Sequence, residues 1–116
     1  IRTPKDESYL IRYDQITAVK EGEKYRNFSY FPYETQRDFE LYQLEVEPGG
    51  SYDCTSHGAG TMEYLVVHQG ELTLTAGAEV HVLGEGDAIR FCCDRAHRYE
   101  NRKSILLKMS VVFTWN

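Results

Sequence analysis

Apolar and polar positions alternate along much of this chain in short runs, and turn-forming residues interrupt them at close intervals. The alternation is clearest at Leu72-Thr73-Leu74-Thr75. In Glu63-Tyr64-Leu65-Val66-Val67 it sets Glu63, Leu65 and Val67 on one face of an extended segment. The interruptions fall at Glu21-Gly22-Glu23, Pro48-Gly49-Gly50, Gln69-Gly70-Glu71, Ala76-Gly77-Ala78, Gly84-Glu85-Gly86-Asp87 and Asn101-Arg102-Lys103. Such spacing predicts a β-sandwich or barrel, and no long stretch keeps a helical period. Residues 1–8 read as a polar lead-in and residues 9–20 as one or two strands. Further strands are predicted over Tyr25–Tyr33, Phe39–Glu47, Met62–Val67, Leu72–Thr75, Val80–Leu83, Ala88–Phe91, His97–Asn101 and Ile105–Trp115. Pro32 marks an edge position or an early strand end. The pattern predicts a single domain over 9–116, with its barrel core at about 44–115.

Composition supports strands: nine Tyr and five Phe stand among many Val, Ile and Thr. At 116 residues the chain has room for one sizeable core. No apolar run is long enough for a membrane span, so no membrane partner is expected. The net charge of −5, with Lys and Arg scattered among acids, leaves no basic stripe for nucleic acid. Cys54, Cys92 and Cys93 are odd in number and two are adjacent, which is no disulfide framework and points to a reducing cytoplasm. The first residue is Ile rather than Met, so the chain is expected to continue a longer protein.

The candidate chemistry lies in His57, Glu63 and His97. Two imidazoles and a carboxylate form a ligand set for a divalent metal, and only strands brought together in a barrel would unite them. A carboxylate on the inward face of an apolar strand also needs a partner there. Tyr99 shares the face of His97 and either lines the same pocket or packs in the core. His68 and His81 read as ordinary strand residues, and Gly70, Gly86 and Asp87 as turn residues. Asn101 reads as a strand-end hydrogen bonder. The Val111–Trp115 run reads as core or dimer interface, not as ligand site.

These residues fall in two motifs that resemble those of cupins. Gly50, His57, Glu63 and Gly70 follow the first; Gly86, His97 and Asn101 follow the second, with residues 71–85 between them. Departures are visible. Ala59 stands where a second histidine belongs, and the gap from Gly50 to His57 is one residue too long. Cys92 and Asp94 replace the usual proline and glycine of the second motif. The resemblance implies an all-β fold, a small double-stranded β-helix or jelly-roll barrel. It also implies one divalent metal (Zn, Fe, Ni or Mn) on His57, Glu63 and His97, with water completing the shell; an empty or organically liganded pocket remains the alternative.

A narrower resemblance covers nearly the whole chain. The stretch SHGAGTMEYLVVHQGELTLTAGAEVHVLGEGDAIRFCCDRAHRYEN is similar to the C-terminal sensor domain of bacterial XRE-family regulators, which carry an N-terminal helix-turn-helix. That likeness implies a cytoplasmic, homodimeric, effector-binding domain with His57, Glu63, His97 and Tyr99 in its pocket and no catalytic residues. DNA would be met only through a helix-turn-helix outside this chain. The alternative implied by the fold family is a stand-alone metal-dependent enzyme of dioxygenase or isomerase type.

Overall fold

The computed structural model describes residues 8–32 and 37–115. The expected lead-in therefore lies, except for Ser8, outside the described residues, as does Tyr33. Among the described residues a 3-10 turn at Tyr13–Gln15 precedes ten strands: β1 (Thr17–Glu21), β2 (Tyr25–Ser29), β3 (Phe39–Val46), β4 (Ser51–Cys54) and β5 (Met62–Gln69) come first. Then follow β6 (Leu72–Ala76), β7 (Glu79–Leu83), β8 (Ala88–Cys92), β9 (His97–Glu100) and β10 (Leu107–Thr114). They form a six-stranded sheet in the order β1-β2-β3-β10-β5-β8 and a four-stranded sheet in the order β4-β9-β6-β7. All pairs are antiparallel. This is the jelly-roll barrel that the alternating pattern and the motifs lead one to expect.

The two sheets meet through their apolar faces. Leu44, Val46, Leu65, Val67, Leu107, Met109 and Val111 come from the larger sheet, and Tyr52, Leu72, Leu74, Leu83 and Tyr99 from the smaller. Period-two alternation does this directly: β10 runs buried-intermediate from Leu107 through Val111, and β9 alternates buried His97 and Tyr99 with exposed Arg98. Burying each such aliphatic side chain contributes roughly 1.5–3 kcal/mol. Against the opposite face of the larger sheet, Tyr13 donates to Glu45 and Tyr30 to Gln43. Those bonds help compensate two polar side chains buried on that face.

Most strand boundaries fall near those predicted. The Tyr25 segment is shorter, ending at Ser29, before Pro32. Residues 9–20 hold the start of one strand, β1. One strand was not predicted at all: β4, hidden in the polar, glycine-rich stretch before His57.

Candidate functional site

β4 and β9 form one wall of the site. Their register pairs Tyr52 with Tyr99 and Cys54 with His97, so all four side chains face between the sheets. The Tyr52 ring stacks on Tyr25 at 4.3 Å and on Tyr99 at 5.7 Å between centroids. Opposite, β5 and β10 pair Glu63 with Phe113 and Leu65 with Val111. Between these walls lies a cavity of about 160 Å³, lined by Asn27, Tyr42, Leu44, Tyr52, Cys54, His57, Glu63, Tyr99, Val111 and Phe113. Within this lining only His57 is an exposed residue, so its loop marks the mouth.

That loop is tied down locally. The His57 main-chain N–H donates to the Cys93 carbonyl at 2.9 Å, and Ser56 Oγ donates to the Asp94 carbonyl at 2.7 Å. Thr61 Oγ1 donates to the Gly58 carbonyl at 2.7 Å. The His57 ring is thereby held 4.9 Å from the Phe113 ring and 5.3 Å from that of His97.

His97 is buried, and its Nδ1 lies 2.9 Å from the Arg95 carbonyl oxygen. A carbonyl only accepts, so Nδ1 carries the proton and Nε2 keeps its lone pair. Nε2 is buried and has no hydrogen-bond partner. Glu63 Oε2 lies 3.9 Å from it, while Glu63 Oε1 accepts a hydrogen bond from the Tyr99 hydroxyl. Burial pushes the Glu63 carboxyl up to about 7, against the opposing effect of the Tyr99 hydrogen bond. Burial lowers the His97 pKa, the Arg95 carbonyl opposes that, and neighbouring His57 lowers it further. His57 is lowered by partial burial and then by the Lys20 ammonium. Burial raises the Cys54 thiol to about 11 and the Tyr99 phenol well above its ordinary value.

His57, Glu63 and Tyr99 line this cavity, Tyr99 also packing in the core, while His97 lies buried beside it, its ring 5.3 Å from that of His57 and 5.6 Å from that of Tyr99. Val111 packs in the core, as the reading of the Val111–Trp115 run has it, and that run also borders the cavity, which the reading did not expect. β10 crosses the middle of the larger sheet, and its inward side chains Val111 and Phe113 line the cavity. Five lining residues escaped the sequence reading as site residues: Asn27, Tyr52 and Cys54, together with Tyr42 and Leu44 of an expected strand. For Tyr52 and Cys54 the available signal was the alternation Tyr52-Asp53-Cys54 just ahead of His57; for Asn27 no signal stood out from an aromatic-polar strand.

The donors present fit a metal of the kind the fold family implies. Nε2 of His97 is a buried lone pair in need of a partner, and the donor atoms of Cys54, His57 and His97 lie within 4.8 Å of one another. Both rings are biased towards the neutral form that ligates. All three cysteines are free thiols, Cys92 exposed and Cys93 buried.

Ten strands in two antiparallel sheets closed over a cavity form a jelly-roll barrel. The cupin-domain family model matches residues 42–113, and the chain belongs to that family. The HTH-type transcriptional regulator SutR of Escherichia coli K12 is 36% identical over 73 residues, which cover 63% of this chain and 41% of SutR. This chain therefore corresponds to less than half of that relative's length. Among solved structures, the cupin domain of an XRE-family transcriptional regulator from Enterobacter cloacae superposes with a TM-score of 0.76 at 26% identity. The match covers 81% of this chain and 99% of that one. A protein from Thermotoga maritima described as a predicted oxalate decarboxylase shares the fold, with a TM-score of 0.76 at 14% identity over 93% of this chain and all of that one. The relation to regulator cupin domains is thus seen in sequence and structure, whereas the likeness to the Thermotoga protein is one of fold.

Proposed function

We propose that this chain is the effector-binding domain of a bacterial transcriptional regulator that reaches DNA through a helix-turn-helix domain and acts as a cytoplasmic homodimer. The observation that carries the reading is the cavity: it is small, mostly walled by aromatic and aliphatic side chains, and has few polar groups aimed into it. About 160 Å³ is close to the size of an engineered cavity that accepts benzene, so the occupant is compact. The Asn27 side-chain oxygen is buried without a partner, and Glu63 offers a carboxyl group. A ligand bearing a hydrogen-bond donor would satisfy the first and engage the second. Kinship with SutR and with the Enterobacter regulator domain supports the use to which such binding is put. The ligand acts only through a difference in affinity between two arrangements of the dimer, and that difference moves the DNA-binding heads.

The test is a thermal-shift screen of compact polar metabolites against the chain, followed by incubation of each hit with protein and analysis of the compound. The reading predicts a hit that raises the Tm of the wild type but not of Val111→Phe, which fills the cavity, and that is recovered unchanged. Conversion of the hit into a product with turnover would instead support the metal-dependent enzyme.

A further inference from the structure

The register of β4 against β9 places Cys54 directly across from His97, both facing inward near the cavity mouth. The 55–61 loop then folds back, anchored by the bond from the His57 N–H to the Cys93 carbonyl, and sets the His57 ring beside that of His97. One sulfur and two ring nitrogens lie within 4.8 Å of one another. A tetrahedral zinc with ordinary Zn–S and Zn–N bonds holds such donors roughly 3.3–3.6 Å apart. The remaining distance is about an ångström, within reach of side-chain rotation at His57 on its exposed loop.

A second, independent observation points to a ligand at this place. The His97 side chain is wholly buried, its proton is fixed on Nδ1 by the Arg95 carbonyl, and its Nε2 lone pair has no partner. A carbonyl accepting from the far ring nitrogen fixes the tautomer and the orientation of a metal-ligating histidine. A buried acceptor without a donor is costly, and a cation on Nε2 would remove the cost. Glu63 Oε2, 3.9 Å from Nε2, adds a carboxyl oxygen on the cavity side, while the Lys20 ammonium stands 5.4 Å over the Tyr52 ring on an exposed side chain.

We propose that Cys54, His57 and His97 form a zinc site at the cavity mouth, with the Cys54 thiolate as a metal ligand. The Cys54 proton leaves to solvent as the Zn–S bond forms, and the fourth position faces the cavity, open to water, to the Glu63 carboxylate or to a bound effector. A thiolate favours zinc over manganese or magnesium, which prefer all-oxygen sites. The ligand set can be tested independently of any DNA-binding role, so its failure would leave the regulator reading standing, and the reverse also holds.

The experiment is titration of chelator-treated protein with cobalt(II) as an optical probe, followed by zinc competition against a chromophoric chelator. One equivalent of cobalt should give a thiolate-to-metal charge-transfer band in the near ultraviolet. Cys54→Ser should abolish the band and weaken zinc at least ~10-fold, and Cys92→Ser should leave both unchanged. His57→Ala, on the exposed loop, should weaken zinc to a similar degree while the Tm of the metal-free protein stays put, which keeps the test decisive if Cys54→Ser folds poorly. A band that survives Cys54→Ser, the absence of a band at one equivalent, or unchanged zinc affinity in His57→Ala would overturn the proposal.

Discussion

Asn101 fastens three segments with one side chain. Its Nδ2 donates to the Val46 carbonyl at 2.9 Å and the Ile105 carbonyl at 2.8 Å, and its Oδ1 accepts from the Lys103 N–H at 2.9 Å. It is 1% exposed, so alanine would leave the buried Val46 carbonyl, the Ile105 carbonyl and the Lys103 N–H to find other partners. Asn101→Ala should lower unfolding free energy by about 3 kcal/mol, read as a lower urea midpoint. Its role as a strand-end hydrogen bonder was legible in the sequence because the residue closes a strand just before a turn. Glu63 makes a different prediction. Its carboxyl sits at about 7 in the folded chain against an ordinary 4.5, so folding favours the protonated form. That contribution is fully present below pH ~4.5 and is lost as pH rises through about 7, at most roughly 3 kcal/mol. Gln keeps the neutral shape, so in metal-free protein the stability of Glu63→Gln relative to wild type should climb between pH 4.5 and 8. A flat difference in urea denaturation across that range would contradict the assigned environment.

At the scale of elements, β5 and β10 could be read from the sequence because alternating aliphatic residues dominate them. β4 could not. It has four residues, only Tyr52 is large and apolar, and a glycine-containing loop follows at once. Its inward side chains are one tyrosine and one cysteine, too few to set up a period-two pattern, and the pairing with β9 that makes it a strand is a long-range contact. The two cupin-like motifs gave the position of His57 and His97 but no reason to look at Cys54, which entered only as part of an odd cysteine count. The turn between β5 and β6 was legible and is tightly constrained. Gly70 has φ +86°, and a Cβ there would meet the Leu106 carbonyl oxygen at 3.1 Å. Gly70→Ala should therefore cost roughly 1–2 kcal/mol, seen as a lower Tm with the same fold by circular dichroism.

Across the whole molecule, closing two antiparallel sheets over one another makes an apolar core and a cavity that share Leu44, Tyr52, Tyr99 and Val111. The alternation along the chain left sandwich or barrel open and the two motifs pointed to the barrel, and one residue at the C-terminal end offers a way to watch the cavity. Trp115 is the only tryptophan of the chain, and its ring lies 5.6 Å from that of Phe113, which lines the cavity. Occupation of the cavity should shift the Trp115 fluorescence of the isolated chain, and Val111→Phe should remove the response. In the proposed function, filling this cavity alters binding to DNA. The most direct measurement is gel retardation by the full-length protein on a DNA fragment it selects from its own genome, with and without the compound that shifts the melting of the chain. The account predicts a change in DNA affinity of about 5-fold or more that disappears in Val111→Phe. Retardation that is the same with and without the compound, at concentrations that saturate the cavity, would contradict it.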